Sequence, residues 1–322
     1  MMKRALAALA VLAAAVATPA LAEYPDRTVT IVVPFPAGGP TDELARLAAH
    51  GLETRLKGTF IVQNLSGGGS NIATNHVAHA AADGYTLLLH NLAISANVTL
   101  YKDLPFDTEK DLRPVMFINR NPLVLVGRKT LPPNNLTELV AWMKANRAKF
   151  AVPGYGTTGH LATVLFGQEA KLKFDIIPYR GGTPVVTDLL GNHVDLFFGT
   201  PQQVGPHVLA GKLKAYGVTS NDKLAQFPNL DSFPKMFGPK FDIQYWQALF
   251  APSGTPDAVV NKLNSTLEQV VADPAVLKIW AGEGVSAFPK EQRSPDAGRV
   301  LMKSEVARWG EVIRANNIHI EQ

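Results

Sequence analysis

The residues with the most chemical character sit at the ends of short apolar runs. Pro34-Phe35-Pro36-Ala37-Gly38-Gly39-Pro40-Thr41-Asp42 follows the β-branched run 28–33 and leads into Leu44, Leu47 and Ala48 at helical spacing. Such a run reads as a buried strand, and the Pro and Gly residues break it. Pro40 suits the first position of a helix, where an N–H would be unpaired anyway. Free N–H groups and the helix dipole then converge on the turn and make it a seat for an anion. Phe35, Ala37, Gly38, Gly39, Thr41 and Asp42 are the candidate contacts. Asp42 falls in the first helical turn, where its charge favours the dipole but repels an anion. Its expected part is to fix the loop, or a ligand hydroxyl or ammonium. An ordinary strand-to-helix connection is the competing reading of the spacing.

Two more strand ends fall on the same edge. The run 59–63 enters a glycine-rich turn carrying Gly69 and Asn71, and the run 85–89 ends at His90-Asn91. Strand–helix–strand alternation predicts a parallel sheet with helices on its faces, whose ligands collect at the carboxyl ends of the strands. A second unit repeats the plan with loops at 154–160 (Gly156, Thr157, Thr158), 179–183 (Arg180, Gly181) and 199–201 (Thr200). Arg180 could pair bidentately with a ligand carboxylate, or be an ordinary surface Arg. In the first case Arg180→Ala weakens binding by roughly 1.5–3 kcal/mol.

Catalytic and metal chemistry find little support. His76 and His79 lack a third ligand, and Gly68-Gly69-Ser70-Asn71-Ile72 lacks the second glycine of a nucleophile elbow. Residues 154–159 lack the Lys of a phosphate loop, and no dinucleotide fingerprint occurs. No catalytic residue, metal or cofactor is expected. The chain contains no Cys, which excludes disulfides and thiolate sites. Of the first residues, Lys3-Arg4, the apolar run 5–16 and Ala20-Leu21-Ala22 read as a signal peptide cleaved after Ala22, which implies export to a periplasm. Without Lys3 and Arg4, 29 basic residues face 27 acidic ones, too even a balance to suggest nucleic acid.

With 322 residues the chain has room for two domains. The C-terminal helical stretches have no strands of their own, so they should return to the first sheet. The expected division is signal peptide 1–22, lobe I from 23–125 and 247–322, and lobe II from 126–246. Two crossings then imply a hinge with a cleft between the lobes.

Tyr24-Pro25, the stretch from Pro34 to Asp42, Asn64 with Gly67-Gly68-Gly69-Ser70-Asn71-Ile72, and Asp83-Gly84-Tyr85-Thr86-Leu87-Leu88 resemble the Bug-type substrate-binding proteins of tripartite tricarboxylate transporters. So do Pro178-Tyr179-Arg180-Gly181-Gly182, Val194-Asp195-Leu196, Ala210-Gly211-Lys212-Leu213 and Ala251-Pro252-Ser253-Gly254-Thr255-Pro256. The resemblance covers the whole mature chain in order. It implies a periplasmic, monomeric α/β protein of the two-lobed Venus-flytrap type, each lobe a mainly parallel sheet flanked by helices. Such a protein captures an organic carboxylate between its lobes and delivers it to membrane transporter subunits. It also implies that residues 35–42 contact the carboxylate through backbone and ordered water while the second-lobe loops close over it. Departures from the family pattern are Phe150-Ala151-Val152-Pro153-Gly154 in place of a hydroxyl-rich run, His90-Asn91-Leu92 in place of small polar residues, and Gly199-Thr200 in place of Asp-Asn. They favour a ligand with an apolar or aromatic body, with His90 lining the cleft. A periplasmic hydrolase on the same scaffold and a receptor module for a sensor kinase are the alternatives.

Overall fold

The computed structural model describes residues 24–318 and 320, so the expected signal peptide lies outside the described residues. Strands β1 (Val29–Val33), β2 (Phe60–Asn64), β3 (Thr86–Asn91) and β4 (Leu112–Pro122) come first in the chain. After them come β5 (Val124–Arg128), β6 (Ala148–Val152), β7 (Phe174–Pro178), β8 (Leu196–Gly199), β9 (Leu213–Val218) and β10 (Asp231–Ser232). Strands β11 (Gln244–Pro252) and β12 (Ser286–Ala287) complete the set. Two six-stranded sheets result, ordered β12-β4-β11-β3-β1-β2 and β10-β9-β5-β8-β6-β7.

Helices flank both sheets. They are α1 (Pro40–Leu56), α2 (Asn71–Ala78), α3 (Ala93–Leu100), α4 (Leu136–Ala145), α5 (Thr158–Glu169), α6 (Gly182–Leu190), α7 (Pro201–Leu209), α8 (Phe233–Phe237), α9 (Asp257–Val271), α10 (Pro274–Gly282) and α11 (Pro295–Ala315). The C-terminal helices do return to the first sheet. Helix α9 packs on α1 so closely that a Cβ on Gly51 would lie 2.4 Å from the Val270 side chain. Helix α11 packs on α3 and β4, and its Glu305 accepts hydrogen bonds from the Trp246 indole (2.6 Å) and from Trp309 (3.2 Å).

The two-lobed α/β plan matches the expectation, but the strand directions are mixed. β1 runs parallel to β2 and β3, while β11 runs antiparallel to both β3 and β4. The reason is connectivity. The chain leaves the first sheet at the end of β4 and re-enters it at the start of β11, and Gln244 pairs with Pro122. Exit and entry at one end force the two strands to be antiparallel. The passages fall at Leu123 and at residues 241–243, so Val124 and Leu125 already pair in the second sheet and Tyr245 and Trp246 in the first. That is slightly earlier in the chain than the division at 125/126 and 246/247.

One buried residue ties the two passages together. Thr219, fully buried just after β9, accepts a hydrogen bond at Oγ1 from the Leu123 N–H (2.8 Å) and donates to the Ile243 carbonyl (2.7 Å). Its backbone N–H and C=O bond the same two residues.

The loop after β1 is closed by Asp42. Its carboxylate accepts from the Gly38 N–H (2.9 Å), from Arg46 Nε and Nη2 (2.9 and 3.1 Å) and from Asn64 Nδ2 (3.0 Å). Burial alone would raise the Asp42 carboxyl, but these bonds outweigh it and hold the group below its ordinary 3.8.

Two expected outcomes follow from these contacts. Thr219→Val strands a buried N–H and a buried C=O and should cost about 2–4 kcal/mol in urea unfolding; a change under about 0.5 kcal/mol would remove the pin. Asp42→Ala should cost about 2 kcal/mol at pH 7. Because the folded carboxyl titrates below its unfolded value, the deficit is complete above pH 3.8 and shrinks as pH falls through the folded carboxyl's lower range. A deficit that grows on acidification would contradict the assignment.

Candidate functional site

Four helix N-termini converge on the gap between the sheets. Gly39 and Pro40 open α1 from the first lobe, while Thr157, Gly181 and Thr200 are the residues just before α5, α6 and α7 in the second. No side chain caps α1, α6 or α7. The first N–H groups of a helix have no partner inside it, and the aligned peptide dipoles place about half a positive charge there. The gap measures about 570 Å³ counting its mouth, the size of a small-molecule pocket.

Its floor is a neutral polar cluster. The Thr41 and Tyr245 hydroxyls lie 2.8 Å apart, and Asn91 Nδ2 donates to the Tyr245 oxygen at 3.2 Å. Burial pushes the Tyr245 hydroxyl up to about 12, so it stays protonated and can donate. Thr158 Oγ1 is buried on the opposite wall without a hydrogen-bond partner among the described residues. Phe35, Leu123, Pro153, Phe197 and Phe198 supply the apolar walls, and no Arg, Lys or His among the described residues lines the gap.

The loops of the two lobes already meet over it. A Cβ on Gly181 would come within 3.0 Å of Pro36 Cδ. Gly156, at φ +77°, lies against α3, where a Cβ would sit 2.4 Å from Asn97 Oδ1. A larger residue at Gly156 would be strained by its backbone and would hold the lobes apart.

Half of the sixteen expected site residues line this gap: Phe35, Gly39, Thr41, Asn91, Thr157, Thr158, Gly181 and Thr200. Gly69 and Arg180 lie in an adjoining outer groove. Gly38 lines a third depression with Thr183 and His207, and Ala37 is an exposed loop tip. The remaining four are structural. Asp42 closes its loop, Gly156 touches α3, Asn71 Oδ1 accepts from Asn97 (2.8 Å), and His90 is fully buried.

Two of these differ from the sequence reading in a consequential way. His90 and Asn91 are consecutive strand residues, so their side chains take opposite faces and only one reaches the gap. His90 packs edge-on behind Phe35 at 5.7 Å, and burial lowers its imidazole to about 3, leaving it neutral. Arg180 is exposed and pairs with no carboxylate among the described residues. Of the departing run 150–154, residues 150–152 are the buried end of strand β6, with Phe150 stacked on Phe198 at 5.6 Å, and Pro153 lines the gap.

Sequence reasoning missed Tyr245, Thr183, Gln203, Phe197, Phe198 and Leu123 as wall residues. It also missed α3, whose Asn97 donates to the Gly69 carbonyl (2.8 Å) and so holds the second glycine loop. Polar residues at positions 95 and 97 in an apolar stretch are the one local signal for it.

Nothing in this arrangement resembles a catalytic set. It offers neutral donors and dipoles around a space that would desolvate a small anion. Residues 44–318 match the family model described as the tripartite tricarboxylate transporter family receptor, TctC. The fold is similar to that of the periplasmic binding protein BugD, at 32% identity and a TM-score of 0.88 over 92% of this chain and 100% of that one. It is also similar to MatC of Rhodopseudomonas palustris with bound malate (31% identity, TM-score 0.85, 90% and 100% covered). A second R. palustris protein, solved with adipate, gives 30% identity and a TM-score of 0.86 over 92% and 99%. These relatives are binding and receptor proteins rather than enzymes, and this chain belongs with them to the TctC family of Bug-type periplasmic solute-binding receptors.

Proposed function

We propose that this receptor captures an organic carboxylate with an apolar body in the interlobe gap and delivers it, as a monomer, to the membrane subunits of a tripartite transporter. The convergence of four helix N-termini from both lobes on a space without a cationic side chain carries this reading. An anion taken out of water must regain its hydrogen bonds, and here N–H groups and hydroxyls supply them. Malate and adipate in the R. palustris relatives set the size class. The aromatic walls favour the longer, less polar adipate over malate.

The strands on either side of Leu123 and residues 241–243 would act as the hinge, with β1–β4 and the C-terminal segment moving against β5–β10. A ligand touching α1 on one side and α5, α6 and α7 on the other gains its full set of contacts only when the lobes close, which is how it would select the closed form. Export by the sequence 1–22 completes the proposal. Among the described residues no helix is long and apolar enough to cross a membrane.

Calorimetric titration with adipate, malate and a terephthalate-like aromatic diacid tests the reading; no saturable binding of any of them would overturn it. Thr158→Val should weaken adipate binding roughly five- to tenfold, since it removes the unpartnered hydroxyl and keeps the shape. Arg180→Ala should change it by no more than about twofold, as expected of an exposed charge outside the gap. A tenfold loss on Arg180→Ala would move the site into the outer groove.

A further inference from the structure

A second pocket lies beside the first, on the far side of Pro40, between α1, α10 and α7. It measures about 700 Å³ counting its mouth. Leu44, Leu47, Val276, Ile279 and Trp280 form an apolar wall. Beside that wall lie two carboxylates, exposed Glu43 and half-buried Glu283, neither of which has an ion-pair partner among the described residues. Glu43 is raised above its ordinary value by burial and then by the nearby charges of Glu283 and Asp42; Glu283 is raised by burial. Two unneutralised acids on an apolar wall make the pocket a region of negative potential.

The floor points the same way. Asn119 on β4 and Gln247 on β11 are paired across the sheet, so their side chains stand together on one face. They are 1% and 0% exposed, and Asn119 Oδ1 and Gln247 Oε1 have no hydrogen-bond partner among the described residues. Gln202 at the start of α7 adds a third amide whose Oε1 has no partner among the described residues, contributed from the other lobe. A buried amide oxygen left unpaired costs about 1–3 kcal/mol, so three around one pocket describe a site waiting for donors. No His, Lys or Arg among the described residues lines it.

From this juxtaposition of two unpaired carboxylates, three unpaired amide oxygens and an indole wall, we infer that the pocket binds a primary ammonium group carried on an apolar body. The N–H groups of the ammonium would meet the amide oxygens and carboxylates, and the alkyl or aryl body would lie along Leu47, Ile279 and Trp280. A cation beside an indole face gains further attraction. Bare metal cations suit the site less well, because five oxygen-bearing side chains spread over two lobes and an apolar wall give no compact coordination shell.

The test is calorimetric titration of the mature protein with hexylammonium and phenethylammonium chloride, with 1-hexanol as the neutral isostere and potassium chloride as the inorganic control. One saturable site is expected for at least one amine, about tenfold tighter than for hexanol and not displaced by equimolar potassium. Glu283→Gln, which leaves the start of α1 untouched, should weaken the amine about fivefold while leaving adipate binding in the first gap within about twofold. Absence of amine binding, equal binding of hexanol, displacement by potassium, or full amine binding by the Glu283→Gln variant would each overturn the inference. The hexanol comparison uses the native protein, so it stands even if the variant misfolds.

Discussion

The structure turns on a requirement of electrostatics: an anion leaving water needs donors, and this gap supplies them without a charged side chain. Four helix starts, with their first N–H groups and dipoles, do what one arginine would do elsewhere. The choice has consequences for the neighbours. A carboxylate at the start of α1 would oppose the ligand, and Asp42 sits there. Its charge is turned back into the loop, where Arg46, Asn64 and the Gly38 N–H hold it. The residue that would harm binding instead shapes the loop that permits it.

Helix dipoles act only near their ends, so the lobes must bring these ends together to within a few ångströms. That places the weight on the connection between the sheets. Because β4 leaves and β11 enters at the same end, both passages lie side by side and a single Thr219 can pin them. Beside the gap itself the lobes meet through glycines. Gly181 beside Pro36 and Gly156 beside Asn97 let two backbones approach where any side chain would prop the lobes open. The gap is therefore narrow by backbone geometry and lined by hydroxyls and rings, which suits a slim carboxylate with an apolar stem.

Much of this could be read locally from the chain. A β-branched run followed by Pro, Gly and a helix start is a short-range pattern, and it located the loops before α1, α5, α6 and α7 correctly. What escaped was whatever depends on direction or on distant pairing. His90 and Asn91 are adjacent in sequence, yet strand register with β11 decides which one faces the ligand. Arg180 has the right chemistry, but its side chain leaves the loop on the outer side. Tyr245 enters the gap because β11 begins at the hinge, and nothing near it in sequence says so. Helix α3 is short and largely buried; a run without Gly, Pro or strong periodicity carries little helical signal of its own.

The most direct measurement is a crystal structure of the protein with adipate. This account places one adipate carboxylate about 2.7–3.2 Å from the first backbone N–H groups of α1 and of at least one second-lobe helix, within reach of the Thr158 hydroxyl. A carboxylate paired instead with Arg180 in the outer groove, with the gap between the helix starts filled by water, would contradict it.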